Sequence, residues 1–437
     1  MILLDGCKVV VTMDAAGTEL ENGSVLIDGG VISWVGQGRP PVREQPEVVD
    51  GRGLVALPGL INTHHHLYQT LTRVRAQQAG LFDWLRELYP IWATIDADWE
   101  RTAAEVGLAE LALSGCSTTT DHHYVFPEGV IGLLEAEIEV AGQLGLRFHP
   151  CRGSMDLGQS SGGLPPDRVV EDIDRILAAT DDAIQRFHDP APGSMRRIAV
   201  GPCSPFSVSE RLMRESAALA RRRDVRLHTH IAETQDEDAY CRTTFNRRPI
   251  ELLEDLGFLG PDVWLAHCVH VNDADIRRLA ATRTAVAWCP TSNMRLGSGF
   301  APAREMIDAG VTVGLAVDGS ASNDGGNLLA ETRQALLTTR ARNGAAAMSA
   351  RQALWVATRG GAACLGRDDV GAIEVGKRAD IALFSIDGLM HRGAEADPVA
   401  ALVFCNPGPV QHLFVEGKPV VHDGQLVNLS EATMIWT

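Results

Sequence analysis

Residues 60–66 read LINTHHH, a short apolar run that turns abruptly into three consecutive histidines. In an extended strand, residues two apart share a side, so His64 and His66 face one way and His65 the other. Seven later segments have a similar build: STTTD (117–121), LRFHPC (146–151), RIAVGPC (197–203), VRLHTH (225–230), VWLAH (263–267), AVAWC (285–289) and VTVGLAV (311–317), the last followed by Asp318. Amphipathic stretches such as DADWERTAAEVGLAELALSG (96–115) and SERLMRESAALARRRD (209–224) separate them, with apolar positions at helical spacing. A repeated strand, loop and helix predicts parallel strands with helical crossovers. Eight such units in roughly 300 residues predict an α/β fold built on a (β/α)8 TIM-type barrel.

Outward from this core the texture changes. KVVVTMD (8–14), GSVLIDGGVISWVGQG (23–38) and VVDGRGLVALPG (48–59) alternate short β-rich runs with paired glycines that mark hairpins. GKRADIALFSIDG (376–388) and ALVFCNPGPVQHLFVEGKPVVHDGQLV (401–427) repeat that pattern. The expectation is one small β-sandwich domain assembled from both ends, residues 1–57 and 370–437, beside a catalytic barrel of residues 58–369.

The chain has 437 residues, past the length at which one hydrophobic core stops growing, and its 45% apolar and 22% charged content is ordinary for a globular protein. With 39 Lys and Arg against 56 Asp and Glu, the formal charge of −17 would repel nucleic acid and anionic lipid. A small neutral or cationic substrate fits better. The nine cysteines are scattered without CxxC pairs, which predicts free thiols in a reducing compartment. The opening MILLDGCKVVVTMD lacks the basic flank of a secretory signal, and no apolar run approaches the roughly 18 residues of a membrane helix. The expectation is a soluble cytoplasmic protein.

Active sites of such barrels sit at the C-terminal strand ends, and here those ends carry reactive residues: His64, His65 and His66 on the first, His228 and His230 followed by Glu233 on the fifth, His267 on the sixth, Asp318 on the eighth. Each signal alone has a bland reading. A lone His-x-His is usually ordinary structure, and a lone Asp after a strand usually caps a turn or helix. Imidazoles from strands one and five and a carboxylate from strand eight converge on one axis only if the barrel closes. Such a set suits one divalent metal, with zinc favoured and iron or manganese as alternatives. Alternation alone places His228 on the same side as His230, and Glu233 could equally cap the helix that follows it.

The segments PGLINTHHH, HTHIAE, AHCVH and VDGSASND, in that order, resemble the metal-site segments of the amidohydrolase superfamily, in its branch of cytosine, guanine and adenosine deaminases and chlorohydrolase-like enzymes. The resemblance spans nearly the whole chain. It implies metal ligands His64, His66, His230 and Asp318, with Glu233, His267 and Asp318 as the catalytic groups. A bound divalent metal lowers the pKa of water from about 15.7 toward 7. Asp318 would accept the proton of the attacking water, Glu233 would protonate a ring nitrogen, and His267 would hydrogen-bond the nucleophile or the tetrahedral centre. His228 receives no metal bond in this pattern, and His122 and His270 receive no role.

HHHLYQTLTR (64–73) places Gln69 where guanine-type deaminases contact a ring carbonyl, and an amide suits a lactam edge. GPCSPFSVS (201–209) lacks the Pro-Arg-Phe element of those enzymes, with Pro205 near the place of the arginine. Together with LFDWLRELYPIW (81–92), DHHYVFP (121–127) and RGSMDLGQSSGGLPP (152–166), these segments most resemble 8-oxoguanine deaminases. That implies conversion of 8-oxoguanine to urate and ammonia, with Gln69, Trp92, Tyr124, Arg152 and Cys203 in or near the pocket and a homo-oligomeric assembly. Isoxanthopterin, isocytosine, guanine, s-triazines and other aryl amines are the alternative substrates. Rival readings are a different hydrolysis on the same scaffold, or a noncatalytic barrel. The small zinc deaminase fold finds no PCxxC pair here.

Overall fold

Eight short parallel strands form the barrel: Leu60–Asn62, then Cys116–Thr119 continued by His122–His123, Arg147–Phe148 continued by Cys151–Ser154, Ala199–Pro202, Leu227–Ile231, Val263–His267, Ala285–Trp288 and Val313–Leu315. They correspond to the eight runs read from the sequence. The computed structural model describes residues 1–41, 44–405 and 408–429. Residues 42–43, 406–407 and 430–437 of the expected end domain lie outside the described residues.

Neighbouring strands pair in chain order, with registers such as Ile61 to Thr118, His122 to Cys151, Cys151 to Ala199, Val200 to Leu227, His230 to Ala266, Leu265 to Val286 and Ala287 to Gly314. The ring closes between the eighth strand and the first. Thr63 N–H donates to Leu315 O at 3.0 Å, and Asp318 N–H donates to His64 O at 3.2 Å. Buried Asn62 ties this seam together, its Oδ1 accepting from Val317 N–H at 2.9 Å while Nδ2 donates to Thr119 Oγ1 at 3.0 Å. Closure therefore sets Asp318 beside His64, although 254 positions separate them in sequence.

Among the described residues, the nine remaining strands make one continuous sheet from both chain ends. Its joint is the antiparallel pairing of Ile381–Ser385 with Leu54–Pro58, around a core that includes Leu4, Val10, Ile32, Ala56, Ile381 and Phe414. Gly59 links that sheet to the first barrel strand, and a Cβ there would come within 2.4 Å of Ser117, so only glycine permits the approach. A buried ion cluster locks sheet to barrel: Arg147 donates from Nε and Nη2 to both oxygens of Asp380, at 2.9 and 2.8 Å, and from Nη2 to Glu416 at 2.7 Å. Among the described residues, no helix is long and apolar enough to cross a membrane.

Candidate metal centre and active site

The strand ends bring His64, His66, His230 and Asp318 to one point at the barrel mouth. Asp318 Oδ1 lies 3.4 Å from Nε2 of both His64 and His66, and Nε2 of His66 lies 3.1 Å from Nε2 of His230. Hydrogen bonds on the far side of each ring decide what those nitrogens present. His66 Nδ1 donates to His122 O at 2.8 Å and His230 Nδ1 donates to Cys203 O at 2.7 Å. His228 Nδ1 donates to Trp264 O at 2.8 Å, so its Nε2 is an acceptor, and His64 Nδ1 donates to it at 2.8 Å. All three Nε2 atoms are thereby left as lone pairs aimed at a common centre.

This arrangement suits a cation. Two lone pairs 3.1 Å apart cannot hydrogen-bond each other, and the fully buried Nε2 of His64 has no hydrogen-bond partner. Burial, followed by the crowding of neighbouring imidazoles, holds His64 well below the usual histidine range, and burial takes His66 to about 3. Burial opposes ionisation of Asp318, yet the facing histidines, His267 and His66 foremost, bring its carboxyl below the ordinary value. Neutral imidazoles and an ionised carboxylate are the ligand forms a divalent metal requires.

The other two reactive groups reach the same mouth by broken alternation. His267 pairs in register with Ile231, which would turn it away from the face of His230. Its backbone instead adopts φ +74°, and Asp318 adopts φ +68°. Such left-handed non-glycine residues cost of order 1–3 kcal/mol each and cluster where function over-determines the backbone. The turn at His267 brings its ring to 5.5 Å from that of His230 and its Nε2 to 3.5 Å from Glu233 Oε2. With the Asn293 amide placed to donate to His267 Nδ1 at 3.0 Å, Nε2 carries the proton, unlike the Nε2 atoms of the other three rings. Burial, then the charges of Asp318 and Glu237, raise Glu233 well above the ordinary carboxyl range.

The cavity over this centre is lined by Gln69, Tyr124 and Cys203, and also by Trp84, Tyr89 and Phe206, which sequence reasoning missed. Tyr124 packs its ring edge-on to His66 at 5.2 Å. Cys203 is a neutral thiol, pushed up to about 12 by burial. Gln69 directs Nε2 to the Tyr68 hydroxyl at 3.4 Å and leaves buried Oε1 without a partner.

Two expected pocket residues lie elsewhere. Trp92 stands near the end of helix Leu81–Trp92, about 12 Å further along the axis than Trp84, where its indole donates to Thr72 Oγ1 and its ring backs Tyr68, Trp84 and Tyr89. The helical phase was the available signal: Leu81, Trp84 and Leu85 fall at i, i+3 and i+4 and line the cavity. Arg152 lies one residue past Cys151 and points out of the barrel, stacking on Phe126 at 4.0 Å and pairing with Glu171 at 2.8 Å. Strand alternation sends it there.

The sequence profile of the Amidohydrolase family matches residues 55–420. The chain belongs to the amidohydrolase family. As an amidohydrolase it is an enzyme acting on C–N bonds. It is 45% identical to an 8-oxoguanine deaminase of Pseudomonas aeruginosa over 423 residues, 96% of this chain and 94% of that one. It is 39% identical to a hydroxydechloroatrazine ethylaminohydrolase of Pseudomonas sp. strain ADP, over 98% of this chain and 92% of the relative. Among solved amidohydrolase structures, the atrazine chlorohydrolase of Arthrobacter aurescens, crystallised with zinc, superposes with a TM-score of 0.95 at 38% identity, covering 99% of this chain and 98% of that one.

Proposed function

We propose that this amidohydrolase is a zinc-dependent deaminase of a lactam-bearing amino-heterocycle, with 8-oxoguanine as the substrate and urate and ammonia as products. The observation that carries the deaminase reading is the placing of two carboxyl groups in one cavity: Asp318 Oδ1 3.4 Å from Nε2 of His64 and His66, and Glu233 Oε2 3.5 Å from His267 Nε2, with facing histidines lowering the first carboxyl and burial raising the second. Titratable neighbours pushed apart in this way supply a base and an acid at the same pH.

His64, His66, His230 and Asp318 would hold the metal, which when bound supplies the Lewis acidity that lets water ionise near neutral pH. Asp318 takes the proton of the attacking water. Glu233 delivers a proton to the ring nitrogen beside the amine-bearing carbon, making that carbon electrophilic. His267, with its Nε2–H directed into the same space, donates to the oxygen added at that carbon. The proton accepted by Asp318 then passes to the departing amine, and the added hydroxyl returns its proton to the Glu233 carboxylate as the carbonyl forms. Addition of water and loss of ammonia thus balance without a further reactant.

Three features support an oxidised purine. The free Oε1 of Gln69 is an acceptor for a lactam N–H, Tyr124 and Tyr89 provide aromatic walls, and the described lining residues include no Lys or Arg that would recruit a phosphate. The 45% relative carries this activity in its name. A second reading, an N-substituted amino-triazine, is favoured by the apolar rim of Leu81, Leu85, Phe206 and Leu296 together with the 39% relative.

Ammonia release from 8-oxoguanine, guanine, isocytosine, isoxanthopterin and a hydroxylated amino-triazine separates these readings. The expected result is the highest kcat/KM with 8-oxoguanine and near-complete loss of turnover in E233Q with its metal retained. No ammonia from any member of the panel would end the deaminase reading, and a preference for the triazine would move the substrate to the second one.

A further inference from the structure

We propose that Glu237 is a positioning residue that holds the Glu233 carboxyl in the active-site cavity by clamping the turn between the fifth barrel strand and the following helix. The inference rests on the reading that Glu233 is the proton donor. Glu237 is 1% exposed and spends both carboxylate oxygens on consecutive backbone amides, Oε1 accepting from Ala232 N–H at 2.8 Å and Oε2 from Glu233 N–H at 2.9 Å.

Those amides belong to a strained turn. Ala232 has φ +52°, a left-handed conformation that a residue with a Cβ adopts only when its surroundings impose it. The turn is also gripped from the sixth-strand side, where Cys268 N–H donates to Ile231 O at 3.1 Å and His270 N–H donates to Ala232 O at 2.8 Å. Glu237 supplies the opposing grip from the helix Gln235–Phe245.

Its own backbone is anchored. Thr234 caps this helix, its Oγ1 accepting from Glu237 N–H at 3.2 Å. A glutamate at this third helical position ordinarily reaches back to the amide of the cap residue. Glu237 reaches past it to residues 232 and 233 instead, coupling the helix start to the turn that aims Glu233. Glu237 is absent from the cavity lining, so its influence on the reaction passes through Glu233.

The test compares E237Q, E237D and E233Q as purified, metal-loaded proteins, by steady-state kinetics on the best substrate of the ammonia panel, by metal content, and by crystal structure. Glutamine keeps the shape but turns an N–H donor toward one of the two amides. Misplacing a reacting group by about 1 Å costs up to about 100-fold in rate. The expected result for E237Q is a kcat lowered about 10- to 100-fold, KM within about twofold of wild type and full metal content, with the Glu233 carboxyl displaced from His267 in the crystal. Should E237Q fail to fold, E237D, which retains the charge and can reach only one amide, gives the same measurements. Wild-type kcat in a folded Glu237 variant, or a loss that simply tracks lost metal, would overturn the proposal while E233Q remains inactive. An active E233Q would instead remove the proton-donor reading, and this proposal with it.

Discussion

His228 Nε2 accepts a hydrogen bond from His64 Nδ1 at 2.8 Å, and this contact decides which nitrogen of His64 faces the metal centre. His228 is itself fixed by its bond to Trp264 O and by stacking on the Trp264 ring at 4.4 Å. A histidine with no lone pair toward the centre thus orders one that has it.

Replacing His228 with leucine removes the acceptor and frees His64 to rotate or change tautomer. Losing such an orienting partner typically costs about 10- to 100-fold in metal affinity. Chelator competition on H228L should show a loss of that size with the fold retained by circular dichroism. Unchanged affinity would show that packing alone orients His64.

Gly319 leaves room for Gln69 next to Asp318. A Cβ at Gly319 would lie 2.0 Å from Gln69 Oε1, so G319A must drive the amide from its place. Loss of one net hydrogen bond to substrate, about 1.4 kcal/mol, corresponds to about tenfold in affinity. Steady-state kinetics of G319A should show KM raised about tenfold with metal content unchanged, and an unaltered KM would remove Gln69 from substrate recognition.

Behind the second barrel strand lies a buried set of Glu100, His123 and Glu137. His123 Nε2 donates to Val125 O at 2.8 Å, and its Nδ1 sits 2.6 Å from Glu137 Oε1, a separation that needs a proton between them. Burial pushes Glu137 up to about 8. The folded protein therefore holds a proton that the unfolded chain releases near pH 4.5. This contribution to stability is complete below that pH and is lost as the pH rises through about 8. E137Q, whose amide can donate to His123 Nδ1 without titrating, should flatten the decline of Tm between pH 5 and 9 seen in the wild type. Parallel Tm profiles for the two proteins would contradict the shared proton.

Much of the framework was readable because strand patterning and strand-end chemistry are local properties. The eight barrel strands, and the side shared by His64 and His66, follow from apolar runs and period-two alternation. Trp92 and Arg152 went astray for geometric reasons. Trp92 ends a helix that has already run past the cavity, and Arg152 falls on the outward phase of its strand. Phe206 and Glu237 carried no local mark of function, because only the closed barrel sets them around the site or behind Glu233.

The amino-acid order by itself determined the alternating parallel strands, the acidic surface balance, and the placing of imidazoles and carboxylates at strand ends. Tertiary structure decided the rest. Alternation left His228 and His230 equivalent; both rings donate Nδ1–H to a backbone carbonyl, but His228 Nε2 is spent on His64 Nδ1 whereas His230 Nε2 faces His66 Nε2 at the centre. It also decided the turns at Ala232, His267 and Asp318, where a left-handed backbone overrides the strand period. The reason is physical: side-chain direction along a strand is set within a few residues, whereas tautomers and strained dihedrals depend on partners brought near only when the ring of strands closes.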